Sequence, residues 1–245
     1  MTQAPLKRRV LTVLIGLIVW FPSAKATQPV NTFPKPYTAK YSLMKNGATV
    51  AEATYTLAQA GQGWKFSAHA RPRGFMSFFI SDEINESSAF EIDGSSIKPL
   101  QYRFEQGPPK ARNRETLEVH YNWQEHNAQV SNPQKTRQVA IKRETYDPLS
   151  VQLALMQRTQ RGCDTAEYAV FHDMELQIQK FECSSGETLR TSLGNYDTVR
   201  VSYRSGKRET LIWFAPALNY IPVKIQQLRE NKLKSEMRIN SVKFE

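Results

Sequence analysis

The sequence predicts a mainly β fold: a single domain in which a strongly curved antiparallel sheet or open barrel of about ten strands wraps around one amphipathic helix near residues 147–161. Three observations predict it. Apolar and polar residues alternate along most of the chain, as in strands with one face packed and one face in water. Turn signals punctuate these runs at Asn46-Gly47, Asp93-Gly94, Gly194-Asn195 and Ser205-Gly206. Asn-Gly is the strongest of them, because a type I′ turn needs positive φ at both central residues. One segment, starting at Asp147, changes to a helical period.

Each element follows in order. Residues 27–36 hold Pro29, Pro34 and Pro36 and read as an extended linker. Tyr37, Ala39, Tyr41 and Leu43 share one face of a first strand, and Ala51, Ala53, Tyr55 and Leu57 one face of its return. Trp64, Phe66 and Ala68 begin a third. Phe90-Glu91-Ile92 and Leu100 to Phe104 flank the Asp93-Gly94 turn. Gly107-Pro108-Pro109 interrupts the pattern before Leu117, Val119, Tyr121 and Trp123, and Val139 and Ile141 suggest one strand more. In the helix, Asp147 suits the N-cap and Pro148 the first helical position. Tyr146 and Val151 occupy the two positions of a hydrophobic staple. Leu149, Leu153 and Met156 recur at helical spacing, and Gly162 is a C-terminal stop. Strands resume at Tyr168-Ala169-Val170 and Leu176-Gln177-Ile178, then at Val199 to Tyr203, Leu211 to Phe214, Val223 with Ile225, and Met237 with Ile239.

The first 26 residues read as a cleaved signal peptide. Lys7, Arg8 and Arg9 precede an apolar core from Val10 to Trp20, and Ala24-Lys25-Ala26 ends in an A-x-A cleavage pattern. A membrane anchor is the alternative, but a bilayer core needs about 20 apolar residues, and no later run approaches that length. The expected location is the periplasm, an oxidising compartment. There the only two cysteines, Cys163 and Cys183, are expected to form a structural disulfide. His69, His120, His126 and His172 show no ligand spacing, so neither metal nor cofactor is expected. The net charge is +10; four of the 33 basic residues and none of the 23 acidic ones fall in the leader, which leaves +6. Basic and acidic residues intermingle, as in Arg112-Asn113-Arg114-Glu115, so nucleic acid is not an expected partner. A weak attraction to anionic lipid or glycan surfaces is compatible with this balance.

Several ordered motifs resemble the DUF3108 family of exported bacterial proteins. Tyr146-Asp147-Pro148-Leu149-Ser150 is similar to its D-P-L-S helix start, and Val170-Phe171-His172-Asp173 to its V-x-D segment. The stretch from Leu189 to Val201 resembles its L-x-T-x-x-G-x-(F/Y)-x-(T/A)-x-(R/K)-(V/L) pattern. Trp213-Phe214-Ala215-Pro216 and Ile221-Pro222-Val223-Lys224-Ile225 resemble its ending. Tyr37 to Ala53 resembles its first hairpin, with Ala51 where the family pattern has Gly. The resemblance spans roughly residues 37–242 and implies a β domain over 37–245. It supplies no catalytic residues, and its architecture is similar in kind to periplasmic carriers whose half-barrels shelter acyl chains.

No hydrolase, Walker or dinucleotide motif is present, and the protein is not expected to be an enzyme. Asp82 and Glu83 are adjacent and would point to opposite faces of a strand. His172 shares parity with Tyr168 and Val170 and reads as an inward, packed histidine. Trp213 reads as packing and Pro222 as edge-strand punctuation. The segment from Arg71 to Ile80 has two readings. It is either a buried strand after a Pro-Gly turn, or a mobile flap in which Phe75, Met76, Phe78 and Phe79 border an apolar cavity and Arg71 and Arg73 meet an anionic headgroup. Two functions follow. The first is a non-catalytic periplasmic carrier or binding protein for a hydrophobic or amphiphilic envelope molecule. The alternative is a scaffold that docks an envelope protein and has no ligand cavity. A glycan hydrolase, a distant third, would need two carboxylates facing across a cleft about 5 to 9.5 Å apart.

Overall fold

The computed structural model describes residues 35–74, 77, 81–94, 96–109, 111 and 114–245. The expected leader over 1–26 and most of the 27–36 linker lie outside the described residues. The strands are β1 (Tyr37–Lys45), β2 (Ala48–Ala60), β3 (Gly63–Pro72), β4 (Glu83–Asp93), β5 (Ser96–Gly107), β6 (Glu115–Asn122), β7 (Asn127–Ser131), β8 (Thr136–Ala140) and β9 (Thr145–Tyr146), then, after helix α1 (Ser150–Arg161), β10 (Ala166–His172), β11 (Glu175–Thr191), β12 (Gly194–Ser205), β13 (Arg208–Ala215), β14 (Ile221–Arg229) and β15 (Lys232–Phe244).

All fifteen strands join one sheet in the order β8-β7-β6-β5-β4-β3-β2-β1-β15-β14-β13-β12-β11-β10-β9. Nearly every neighbour in space is a neighbour in sequence, so the chain makes two meanders. Their junction is the antiparallel pair β1–β15, with Tyr37 opposite Phe244. The strand count exceeds the ten expected because β7 holds only two buried apolar residues, Ala128 and Val130, and β9 is two residues long. Neither leaves a period to read.

The two free edges of the sheet, β8 and β9, are joined by Ile141-Lys142-Arg143-Glu144 alone. Four linking residues reach about 18 Å at most. Laid flat, fifteen strands at about 4.8 Å spacing would hold those edges roughly 65 Å apart. The sheet must therefore curl until its edges nearly meet. Backbone bonds anchor the linking residues at both ends, Ile141 N donating to the His126 carbonyl at 2.9 Å beside β7 and Ala169 N of β10 to the Glu144 carbonyl at 3.2 Å. Arg137 and Glu175 form an ion pair across it at 3.5 Å. Register shifts in β1–β15, β4–β5 and β13–β14 add local bends. The shift in β13–β14 accommodates Pro222, which lies in mid-sheet rather than on an edge strand, and its carbonyl accepts the Tyr41 hydroxyl at 3.0 Å.

The expected hairpin at Asn46-Gly47 is present, with φ of 51° and 80°. That at Gly194-Asn195 is displaced: Ser192-Leu193 makes the turn and Gly194 opens β12. Inward positions alternate as the pattern requires; Tyr37, Ala39 and Tyr41 are buried, as are Phe66, Phe90, Tyr102, Val119, Phe181, Val201 and Phe214. Helix α1 packs among them. It is less amphipathic than its spacing implied, because eight of its twelve residues are buried, among them Ser150, Gln157 and Thr159. A helix covered on most sides fills space rather than lining it.

Cys163, just after α1, is bridged to Cys183 of β11, with 5.2 Å between the Cα atoms. The bridge closes a loop of 20 residues between the helix end and the sheet. Replacing Cys163 by Ser should lower stability by about 3 kcal/mol on loop-entropy grounds. Thermal melts of the two proteins, with a thiol titration showing one reactive group at Cys183, check this.

Candidate functional site

The helix start builds the most constrained polar centre of the molecule. Asp147 is fully buried. Its Oδ1 accepts from the backbone N–H of Leu149 at 3.0 Å and of Ser150 at 2.8 Å, and the Ser150 hydroxyl accepts from Asp147 N at 2.9 Å. This is the expected cap, one turn before the first regular helical residue. Its Oδ2 accepts from the Ser88 hydroxyl of β4 at 2.7 Å, which ties the cap to the wall of the barrel. Glu86 lies two residues before Ser88 and so shares its inward face. Burial first, and the Asp147 charge second, push the Glu86 carboxyl up to about 7. Burial also raises Asp147, against the hydrogen bonds from Ser150, Ser88 and Leu149 that favour its charged form. Tyr55, Tyr102 and Tyr121 stand around the pair, and burial drives all three phenols well up. The Tyr121 hydroxyl faces Asp147 without completing a normal hydrogen bond. The centre holds Asp147 in place and lets Glu86 exchange a proton near neutrality.

The expected ligand residues fall elsewhere. Arg71 is the penultimate residue of β3, and Arg73 follows the strand; both are exposed. Arg73 N donates to the Val50 carbonyl at 3.0 Å, and its guanidinium pairs with Glu52. One of the two cations assigned to an anionic headgroup is thus already engaged. Gly74 has φ of 62°, a conformation that turns the chain away from β3. Phe75, Met76, Phe78 and Phe79 lie outside the described residues.

The spaces found among the described residues open to solvent. One, of about 970 Å³, lies at the seam and is lined by polar side chains including Arg114, Lys135, Arg137 and Glu175. His172 lines it too. This corrects the inward placement expected of that residue: Phe171 is buried, His172 is exposed, and β10 ends there, so the alternation lapses. A second groove of about 490 Å³ lies beneath the tip of the β11–β12 hairpin. No group of three or more His, Cys, Asp or Glu residues suited to a metal occurs among the described residues. There, too, no helix is long and apolar enough to cross a membrane.

A curled sheet, one enclosed helix and outward grooves are the geometry against which relatives can be compared. The model of the DUF3108 family, proteins of unknown function, matches residues 36–238. The chain belongs to the DUF3108 family. No curated protein matches it. The crystal structure of a β-barrel-like protein of the unknown-function domain DUF1849, from Brucella abortus, aligns with this DUF3108 chain at a TM-score of 0.60 and 10% identity. The alignment covers 87% of this chain and 99% of that one. At that identity the likeness shows the fold alone, and the DUF3108 chain shares the barrel-like curl.

Reading single motifs missed Glu86 and Ser88, although both lie on the parity of buried Phe90. An acid on the packed face of a strand was the available signal. The pH consequence has a definite sign. Glu86 binds its proton more tightly folded than unfolded, so its contribution is complete below its ordinary value of 4.5 and is lost as pH rises toward 7. Unfolding free energy should fall by about 3 kcal/mol across that window. Glu86→Gln should flatten the profile, as read by denaturant unfolding at stepped pH. Ser88→Ala leaves Asp147 Oδ2 without its donor and should cost about 1–3 kcal/mol, seen as a lower midpoint at unchanged slope.

Proposed function

We propose that this protein is an exported, non-catalytic docking protein of the cell envelope that works from the outside of its barrel. The observation that carries this reading is the enclosed helix. α1 is buried on eight of its twelve residues and packs into one core with Tyr37, Tyr41, Phe66, Tyr121 and Phe171. Among the described residues, the space at the seam has a mainly polar lining, and the groove under the β11–β12 hairpin lies outside the barrel with a mixed one. Such surfaces suit contact with another envelope component better than shelter for an acyl chain. The scaffold that positions them is stiff: hairpins throughout, a disulfide and a pinned helix.

A second reading, the carrier of a hydrophobic or amphiphilic molecule, is favoured by one feature. Arg71 and Arg73 stand exposed just before the apolar stretch of sequence from Phe75 to Ile80. Native mass spectrometry with lipid extraction, on protein exported to the periplasm and passed through gel filtration, separates the two. The docking reading expects a bare protein mass. A stoichiometric amphiphile retained through the column would overturn it, and in that case Phe78→Ala with Phe79→Ala should release the molecule without loss of fold.

A further inference from the structure

The β11–β12 hairpin is longer than the sheet requires. β11 pairs with β10 only as far as Phe181, and β12 pairs with β13 only from Val199. Beyond these points the two strands pair only with each other, through Asp197, Tyr196, Asn195 and Gly194. This two-stranded ribbon leaves the sheet and reaches back to β15. There the Ser192 hydroxyl lies 2.9 Å from the Ile239 carbonyl and 3.1 Å from that of Asn240. A groove of about 490 Å³ lies between ribbon and sheet, within the size of small-molecule sites.

The lining of this groove is one-sided. Met44 and Leu189 supply apolar surface, and Arg190, Lys224 and Arg238 supply three cations; Val223 and Ile239 belong to the core and are almost fully covered. No acidic side chain lines it among the described residues. Nearby acids answer two of the three. Glu236, itself buried, pairs with Arg238. Glu187 approaches Lys224 only to 3.9 Å and is largely in water. The Lys224 side chain is just 19% exposed, and its Nζ sits 4.1 Å from the centroid of the Trp213 ring. The Trp213 Nε1–H, buried beside it, has no acceptor. Arg190 has no ion pair among the described residues. The site therefore presents one uncompensated positive charge, the exposed Arg190, with the partly buried Lys224 and the apolar side chains of Met44 and Leu189 lining the same groove. Such a lining favours an oxyanion that brings its own apolar body into the same space.

We infer that this groove binds a singly charged organic oxyanion, a carboxylate or a phosphodiester, carrying an apolar group. The inference goes beyond the docking reading and does not depend on it. The groove opens to solvent, so its ligand exchanges and is lost on gel filtration, unlike a molecule held by a carrier.

Isothermal titration calorimetry on the disulfide-bonded chain tests it with four probes: octanoate, dihexanoyl phosphatidylglycerol below its micelle concentration, acetate, and octyl glucoside. At least one of the first two should bind saturably at one site, and which one does so identifies the oxyanion. Acetate lacks the apolar body and octyl glucoside lacks the charge, so both should bind at least tenfold more weakly. Arg190→Gln should weaken the anionic amphiphile about tenfold at unchanged circular dichroism, and Arg190→Lys should recover most of the loss. Equal binding of octyl glucoside, indifference to Arg190→Gln, or no saturable binding by either anionic amphiphile would overturn the assignment.

Discussion

The strap Ile141-Lys142-Arg143-Glu144 is the constraint on which the rest of the structure depends. It joins the two edges of a fifteen-stranded sheet with four residues. Covalent reach, rather than any single contact, forces the sheet to close on itself. Curvature then decides the rest. A tightly curled sheet has a narrow inner face, and α1, which follows the strap after β9, is drawn directly into it. The outer face is correspondingly wide and bears the hydrated residues and the grooves.

An enclosed helix raises a problem that the chain meets with polar groups. The first N–H groups of a helix have no intrahelical acceptor, and in a dry interior they would be costly. Asp147 supplies the acceptor, but a buried carboxylate needs donors of its own. Ser88 completes the set from the barrel wall, so a capping residue also becomes the tie between helix and sheet. Glu86 is the consequence on the other side. A second carboxyl placed near the first does best to keep its proton, and burial and the neighbouring charge push it in that direction.

Much of this was legible in the residues. The Asn46-Gly47 turn, the placement of the helix after Asp147, the pairing of Cys163 with Cys183 and the alternation in the long strands each have a local cause, and each is present. What local patterns could not carry was global. β9 is two residues held by pairing with β10, and β7 is set between polar turns; neither has a signature of its own. The outer half of β11, Cys183 to Thr191, reads as polar loop because its partner is the ribbon strand β12 and not a core. The helical spacing reads as a segment with one wet side, whereas eight of its twelve residues are buried. The expected ligand residues Phe75, Met76, Phe78 and Phe79 lie outside the described residues, and Arg71 and Arg73 before them divide between open solvent and an ion pair with Glu52.

The junction of β1 with β15 has a consequence for how such a chain is made. Every other antiparallel pairing can form as soon as a hairpin has been synthesised, but Tyr37 must wait for Phe244, more than 200 residues later. Until the final strand arrives, β1 and β14 each present a row of unsatisfied backbone groups, and the two meanders remain unlocked. The emerging chain is therefore an incomplete cylinder, and loss of the thirteen residues of β15 would leave β1 and β14 as two further unpaired rims.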